Sequence, residues 1–343
     1  MSNASGNKKD LSKRKGQHIE LCLDNDSQGI STFSKYRLPY NALPEISLDQ
    51  VDTSTELFGK QLKQPLIIAS MTGGSEHGRA INTNIAKAAE ICGVAMGVGS
   101  QRIGLELKDA KQTFELVREH APNAFIIANI GAVQLNYGHD IESMRSIISM
   151  VGADALYLHL NPLQEALQPG GDTDFRDLES KISRIIKGID IPVFIKEVGH
   201  GISAEVALRL ENIGVAAVDV AGVGGTSYAW VEARRASVGD FEKWFKGYGV
   251  ASDKAIAEVS EVVSKNVKVI SSGGVRSPID GLVGRALGAN YYSAAVPFLE
   301  AAMTSSDKTI EVVQRWQDGL RIAMFGCGVT SWDEARKLKI STQ

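Results

Sequence analysis

Cysteine and long apolar runs are scarce in this chain of 343 residues, and each scarcity excludes a class of protein. Only three cysteines occur, at 22, 92 and 327, without a Cys-x-x-Cys pair, which excludes a disulfide-built scaffold and a cysteine-ligated zinc site. No apolar run approaches the roughly 20 residues of a membrane span, and the N-terminus lacks the apolar core of a secretory signal. We therefore expect reduced thiols, a cytoplasmic location and no membrane partner.

A dominant charge of one sign is also absent. Lysine and arginine total 37 against 40 aspartates and glutamates, a net charge of −3, so a general nucleic-acid binder is not expected. The hydrophobic share of 43% is typical of a globular enzyme. Residues 1–16 are polar and lysine-rich, which predicts a mobile basic arm, and residues 17–343 are predicted to form a single domain.

Short β-branched segments alternate with amphipathic helical segments from residue 65 onward. Such an alternation predicts parallel strands joined by helical crossovers. The eight predicted strands are 65–71, 94–99, 124–130, 155–160, 192–197, 216–221, 267–272 and 290–295. The predicted helices between them are 81–91, 110–120, 141–150, 177–187, 204–212 and 280–287.

These strands are almost continuously apolar, so both of their faces must be covered. Eight of them in strict alternation favour the α/β class and a closed (β/α)₈ TIM barrel, with an open doubly wound sheet as the alternative. An aromatic-rich insertion at 222–251 follows the sixth strand. Loops of this length are usually functional or form subunit contacts.

Polar residues follow every predicted strand, at the end where a TIM barrel carries its active site. The Gly-Gly turn at 273–276 and the small-residue turn at 293–294 resemble the phosphate cradle of FMN-binding barrels. Arg276 would add a charge-assisted contact to the phosphate. The alternative is that these glycines only terminate strands.

Lys196 closes an otherwise apolar strand and therefore needs a buried partner. The electron-rich N1–C2=O edge of a reduced flavin would be such a partner, and we favour it over a salt bridge to a carboxylate on a neighbouring strand.

The segment 159–165 holds the largest number of candidate functional side chains. One carboxylate with phosphate oxygens and waters is the usual way to hold Mg²⁺, which makes Glu165 a candidate ligand. A diphosphate could also bind at this rim, through Asn161, Gln164 and Arg102. The alternative treats Glu165 as a solvated residue and His159 as a hydrogen-bonded core side chain.

Several motifs together resemble the type 2 isopentenyl-diphosphate isomerase family over about residues 14–330. They are Met71-Thr72-Gly73-Gly74, Gly99-Ser100-Gln101-Arg102, Asn129-x-Gly131-Ala132-x-Gln134, His159-x-Asn161-Pro162-Leu163-Gln164-Glu165, Lys196-Glu197-x-Gly199, Gly224-Gly225-Thr226 and the basic start Arg14-Lys15-x-x-His18. One departure is the eighth-strand turn Tyr292-Ser293-Ala294, where the family often has Ala-Gly, so Ser293 is a candidate for direct contact with the phosphate.

The resemblance implies three groups of site residues. FMN would be held by Ser70, Met71, Thr72, Gly73, Ser100, Asn129, Lys196, Thr226, Gly273, Gly274, Val275, Arg276, Ser293 and Ala294. The diphosphate substrate would be bound by Arg14, Lys15, His18, Ser100, Gln101, Arg102, Asn161 and Gln164, with Glu165 on Mg²⁺. The candidate catalytic residues are Gln164, His159 and Lys196.

The implied reaction converts isopentenyl diphosphate to dimethylallyl diphosphate with reduced FMN as acid and base. NADPH is the expected reductant, and the implied assembly is a homo-oligomer, a tetramer or octamer. The main alternative is an FMN-dependent 2-hydroxy-acid oxidase, which needs a histidine base near an arginine after strand six or seven; Arg234 and Arg235 are present, but no histidine follows His200. A dehydrogenase with a nucleophilic cysteine after strand six is disfavoured because no cysteine lies between 92 and 327. A flavin-storing barrel without turnover is a third alternative.

Overall fold

The computed structural model describes residues 16–342, and within them eight parallel strands close into a barrel. Its strands, called strands one to eight below, are Leu66–Ile68, Ala95–Gly97, Ile126–Gly131, Ala155–His159, Val193–Lys196, Ala217–Asp219, Lys268–Ser271 and Tyr291–Ala294. Strand eight pairs with strand one, and strand six pairs with strand seven, so the sheet has no free edge. The predicted TIM barrel is confirmed, and the open-sheet alternative is wrong.

Helices follow the strands as predicted and cover the outside of the barrel. They are Glu76–Cys92, Lys108–His120, Ile141–Val151, Leu178–Gly188, Ala204–Asn212, Ser252–Val262, Pro278–Ala286 and Val296–Thr304, and the long helix Ser306–Cys327 packs against the first of them. Side chains at their starts explain the boundaries. Ser75 accepts a hydrogen bond from the Gly78 amide, and Asp140 accepts from Glu142 and Ser143, which satisfies backbone donors that a helix leaves free.

Additional elements cover the two ends of the barrel. The hairpin Thr55–Leu57 and Lys60–Leu62 closes the amino end, where Phe58 packs against Phe194 at 5.2 Å between ring centroids. Short helices stand at the carboxyl end: Arg102–Glu106, Pro162–Leu167, and Tyr228–Arg235 and Gly239–Phe245 inside the aromatic-rich insertion. A helical segment at 16–23 lies beside them, whereas the predicted arm falls outside the described residues except for Gly16.

Alternation along each strand separates two cores. In strand five, Val193 and Ile195 pack outward against the helices, whereas Phe194 belongs to the core inside the barrel. Lys196 has the same parity as Phe194 and therefore also points inward. The barrel interior is apolar at its middle and becomes polar at its carboxyl end, where the strands finish.

No helix in the described part of the chain is long and apolar enough to cross a membrane.

Candidate active site

A cavity of about 880 Å³ opens at the carboxyl ends of the strands, and residues that follow all eight strands line it. The structure brings nearly all the sequence-predicted site residues together here. They are His18, Ser70, Met71, Thr72, Gly73, Ser100, Arg102, Asn129, His159, Asn161, Gln164, Glu165, Lys196, Thr226, Gly273, Gly274, Val275, Arg276, Ser293 and Ala294. Arg14 and Lys15 lie outside the described residues.

Three hydroxyl groups along the cavity are buried without a hydrogen-bond partner among the described residues. They are Ser70 Oγ, Thr72 Oγ1 and Ser293 Oγ. Leaving a buried hydroxyl unpaired costs about 1–3 kcal/mol, so buried polar groups normally have partners. A polar ligand in this cavity would satisfy all three, and FMN has ring and phosphate atoms of the required kind.

The turn after strand seven can form only from glycine. Gly273 and Gly274 have φ of +88° and +85°, and a Cβ on Gly273 would lie 2.2 Å from the carbonyl oxygen of Gly222. The backbone of this turn therefore packs directly against the loop after strand six. The helix Pro278–Ala286 starts just beyond it, and its capping box occupies the backbone amides of Arg276, Ser277 and Asp280. A phosphate would therefore be held by the glycine turn itself, which lines the cavity.

Arg276 is held across the cavity mouth by backbone carbonyl groups. Its guanidinium donates to the oxygens of Gly29 and, at 3.4 Å, of Gly224. A segment near the N-terminus is thereby fixed to the loop after strand six, and Gln28 Nε2 adds a 2.9 Å bond to Thr226 Oγ1. Arg276 and Thr226, both predicted to bind the cofactor, thus also connect the N-terminal segment to the loops at the rim.

Lys196 forms no salt bridge within the described residues. Its Nζ donates instead to the neighbouring carbonyl oxygen of Glu197 at 2.6 Å. In the sheet register it pairs with His159 on one side and Asp219 on the other, so these three side chains share one layer of the barrel interior. Its charge is therefore available to an electron-rich group in the cavity.

His159 is neutral at physiological pH. Burial, with the charges of Lys196 and Arg102, lowers the pKa of its imidazole to about 3. Its Nδ1 lies 2.9 Å from Oδ1 of Asn129, whose amide nitrogen is already committed to the Val98 carbonyl, so Nδ1 carries the proton and Nε2 is an acceptor. The ring is thus a fixed hydrogen-bond acceptor and a weak base.

Asn161, Gln164 and Glu165 form one hydrogen-bonded set at the start of the helix Pro162–Leu167. Asn161 Nδ2 donates to Gln164 Oε1 at 3.1 Å and to Glu165 Oε1 at 2.9 Å. Glu165 is buried, and its second oxygen accepts from the Asp172 amide at 2.8 Å. The alternative of a solvated Glu165 is therefore wrong.

No group of three or more His, Cys, Asp or Glu side chains that could hold a metal occurs in the part of the chain that the structure describes. Mg²⁺ at Glu165 would need the phosphate oxygens of a ligand and water for its other positions, as the sequence predicts.

Sequence reasoning missed Glu232, which is completely buried beside this set. Its Oε1 accepts from Gln164 Nε2 at 3.1 Å and lies 2.9 Å from His18 Nε2, and Arg235 pairs with its other oxygen. Burial raises the pKa of Glu232, but the contacts with His18, Gln164 and Arg235 outweigh it and lower the pKa below the ordinary value. No sequence signal marked a glutamate on a helix within a long insertion.

Gln101 and Arg102 are adjacent in sequence but separate in the fold. The Gln101 side chain is fully buried away from the cavity, where it donates to the Ile147 carbonyl at 2.9 Å and accepts from the backbone N–H of Asn129 at 3.0 Å. Arg102 reaches the rim and pairs with Asp172 at 2.6 Å. Gln101 therefore supports the strand that carries Asn129, and a contact between its side chain and substrate is not formed from this position.

A closed barrel with a phosphate-type glycine turn, unpaired hydroxyls and an inward lysine defines an FMN-binding barrel. The family described as FMN-dependent dehydrogenase matches residues 15–152 and 163–342. Solved structures of mandelate oxidase share this fold: one with benzoyl-formic acid has a TM-score of 0.67 at 16% identity over 98% of each chain. Another, with 3,3-difluoro-2-hydroxy-3-phenylpropionic acid, has a TM-score of 0.66 at 18% identity over 97% of this chain and 98% of that one.

Curated relatives are far more similar. The isopentenyl-diphosphate delta-isomerase of Stutzerimonas stutzeri is 41% identical over 97% of this chain and 99% of its own length. The proteins of the same name from Synechococcus and Methanothermobacter thermautotrophicus are 42% and 40% identical, over 95% of this chain and 95% and 92% of theirs. The chain belongs to the FMN-dependent isopentenyl-diphosphate delta-isomerase family.

Proposed function

We propose that this protein isomerises isopentenyl diphosphate to dimethylallyl diphosphate with FMN as its cofactor. The observation that carries the proposal is that one cavity holds two groups of residues. Its floor carries the hydroxyls, the glycine turn and the lysine that suit FMN, and its rim carries Arg102, Asn161, Gln164 and Glu165. Relatives at about 40% identity over nearly the full length bear the name of this activity.

FMN fits the residues of the floor and of the glycine turn. Ser70, Thr72 and Ser293 have hydroxyls in need of partners, and the turn at 273–276 would take the phosphate. Lys196 would stabilise negative charge on the ring. Bound in its reduced form, FMN supplies an electron-rich ring that can stabilise developing positive charge and exchange a proton.

The residues around the ring site orient the substrate and control its surroundings. Gln164 is clamped between Asn161 and Glu232, so its amide has one fixed orientation toward the cavity. His159 presents Nε2 as an acceptor while its pKa of about 3 keeps it uncharged beside a forming cation. A neutral ring avoids the repulsion that an imidazolium would impose on a tertiary carbocation.

The positions of the histidines weaken the oxidase alternative. A hydroxy-acid oxidase needs a histidine base near an arginine after strand six or seven, and no histidine follows His200 in this chain.

The diphosphate would lie at the rim, where Arg102 and Glu165 would bind it in different ways. Arg102 would contact phosphate oxygens directly, and Glu165 would hold them through Mg²⁺. NADPH would act only as the source of electrons for the flavin. Arg14, Lys15 and His18 would complete the site, and we expect the Michaelis constant for the diphosphate to rise when residues 1–18 are deleted.

A homo-oligomer is the proposed assembly, with the insertion as its contact. The helix Gly239–Phe245 exposes Phe241 and Trp244, and Tyr248 follows with 62% of its surface accessible. Exposed aromatic clusters of this kind mark interfaces. A Trp244→Glu variant should reduce the molar mass measured by light scattering; an unchanged mass would exclude this contact.

The direct test is anaerobic isomerisation with purified protein, omitting FMN, NADPH or Mg²⁺ in turn. Each omission should abolish or strongly reduce turnover. Gln164→Ala should lower kcat at least about tenfold, as expected for loss of a substrate-orienting group, whereas the exposed Gln112→Ala should not. Full activity without FMN, or in Gln164→Ala, would overturn the proposal.

A further inference from the structure

Asp219 is a buried carboxylate on the cavity floor. The proposed reaction gives it no role. It is the last residue of strand six, is 1% exposed and lines the cavity. Tyr157 donates its hydroxyl to Oδ2 at 3.0 Å, and Ser272 donates to Oδ1. Burying a carboxylate is costly, so a position where only packing matters would favour an apolar residue.

Asp219 and Lys196 are direct register partners on adjacent strands. Residues that are paired in this way project to the same face of the sheet, here the barrel interior. No salt bridge within 4.0 Å joins them among the described residues. They are therefore opposite charges in one layer of the barrel interior, and both line the cavity.

Two kinds of contact favour the ionised form of Asp219. The Tyr157 and Ser272 hydroxyls lie within hydrogen-bond distance and can donate to an ionised carboxylate, which only accepts. Lys196 also favours the ionised form, whereas burial raises the pKa of the carboxyl above its ordinary value despite these contacts.

We infer that Asp219 is a positioning residue of opposite sign to Lys196 that limits the net positive charge beneath bound FMN and thereby sets its reduction potential. A floor with Lys196 alone would strongly favour the electron-rich reduced ring. The carboxylate offsets part of that preference, so the reduced flavin keeps its tendency to hold a proton. The inference rests on FMN binding and does not require isomerase turnover.

The test is the midpoint potential of protein-bound FMN in wild type and in Asp219→Asn. Asparagine has nearly the same shape but no charge, so the potential should become more positive. A tenfold gain in preference for reduced over oxidised FMN corresponds to about 30 mV for a two-electron couple, and we expect at least that shift. Tyr157→Phe removes one hydrogen bond without removing the carboxylate and should shift the potential much less.

A second variant, Asp219→Ser, guards against misfolding of the first and must shift the potential in the same direction. Asp219→Asn and Asp219→Ser proteins that bind FMN with the wild-type potential would overturn the inference, because Asp219 would then be uncharged or remote from the ring. Equal shifts in Tyr157→Phe and Asp219→Asn would also overturn it, since disturbed packing rather than charge would explain both.

Discussion

Gln164 donates a 3.1 Å hydrogen bond to Glu232, a carboxylate that is completely buried in the insertion after strand six. The same oxygen lies 2.9 Å from His18 in the helical segment at 16–23. One carboxylate thus joins three parts of the chain at the cavity mouth. The helix Pro162–Leu167, the insertion and the N-terminal segment hold each other in position.

Replacing Glu232 by Gln should open this junction. The amide can still accept from Gln164, but it no longer compensates the charge of Arg235. Breaking a buried charge pair usually costs at least about 2 kcal/mol, so unfolding free energy should fall and the Michaelis constant for the diphosphate should rise about tenfold or more.

Glu179→Gln is the matched control, because Glu179 forms an exposed pair with Arg209 at 2.8 Å. It should change stability by no more than about 0.5 kcal/mol. Similar losses in both variants would contradict a special role for the Glu232 junction.

His159 should make the flavin-free protein less stable in mild acid. Its pKa is lowered from the ordinary value of about 6.5 to about 3, so between these values the unfolded chain binds one more proton than the folded one. This contribution is fully present above pH 6.5 and is lost as the pH falls, by up to about 1.4 kcal/mol per pH unit. Urea unfolding at pH 8 and pH 5 should show a smaller loss for His159→Gln than for wild type; equal losses would argue against a neutral His159.

The glycine turn can be tested against a glycine of the same backbone conformation elsewhere. Gly273 and Gly59 have φ of +88° and +86°, but a Cβ on Gly59 would meet no atom within 4 Å. Alanine at 59 should cost about 1–2 kcal/mol from conformation alone. Gly273→Ala should cost more and weaken FMN binding at least about tenfold, as measured by flavin fluorescence, because the turn must move. Equal effects on stability with unchanged FMN affinity would contradict the assigned phosphate turn.

Lys196→Ala should reduce kcat and FMN retention together. The variant removes the one charge that Lys196 brings to the floor, and gel filtration should show flavin loss relative to Lys187→Ala, which alters an exposed helical residue. Normal turnover with tightly bound FMN would exclude the proposed contact.

Strand parity explains why much of the site was predictable. Lys196 is a charged residue inside an apolar run, and because parallel strands end on one side of the barrel, its placement beside other strand ends follows from the fold. Asp219 carries the same signal in strand six, 216–221, and could have been found by it.

Other features depend on contacts that no local pattern reveals. Gln101 and Arg102 both follow strand two, yet one turns into the protein toward Ile147 and the other toward the rim. Arg102 begins the short helix Arg102–Glu106, which packs against the helices Lys108–His120 and Ile141–Val151. Glu232 is buried only because two other segments pack on it, which sequence alone does not show.

Isomerisation with reduced FMN is tested on protein whose FMN has been reduced and which has then been separated from the reductant without oxygen. Isopentenyl diphosphate and Mg²⁺ are added, and dimethylallyl diphosphate is counted per bound flavin while the flavin spectrum is followed. We expect many turnovers per flavin with the spectrum still that of reduced FMN, because isomerisation consumes no electrons. No product, or product limited to one per flavin with oxidation of the ring, would contradict it.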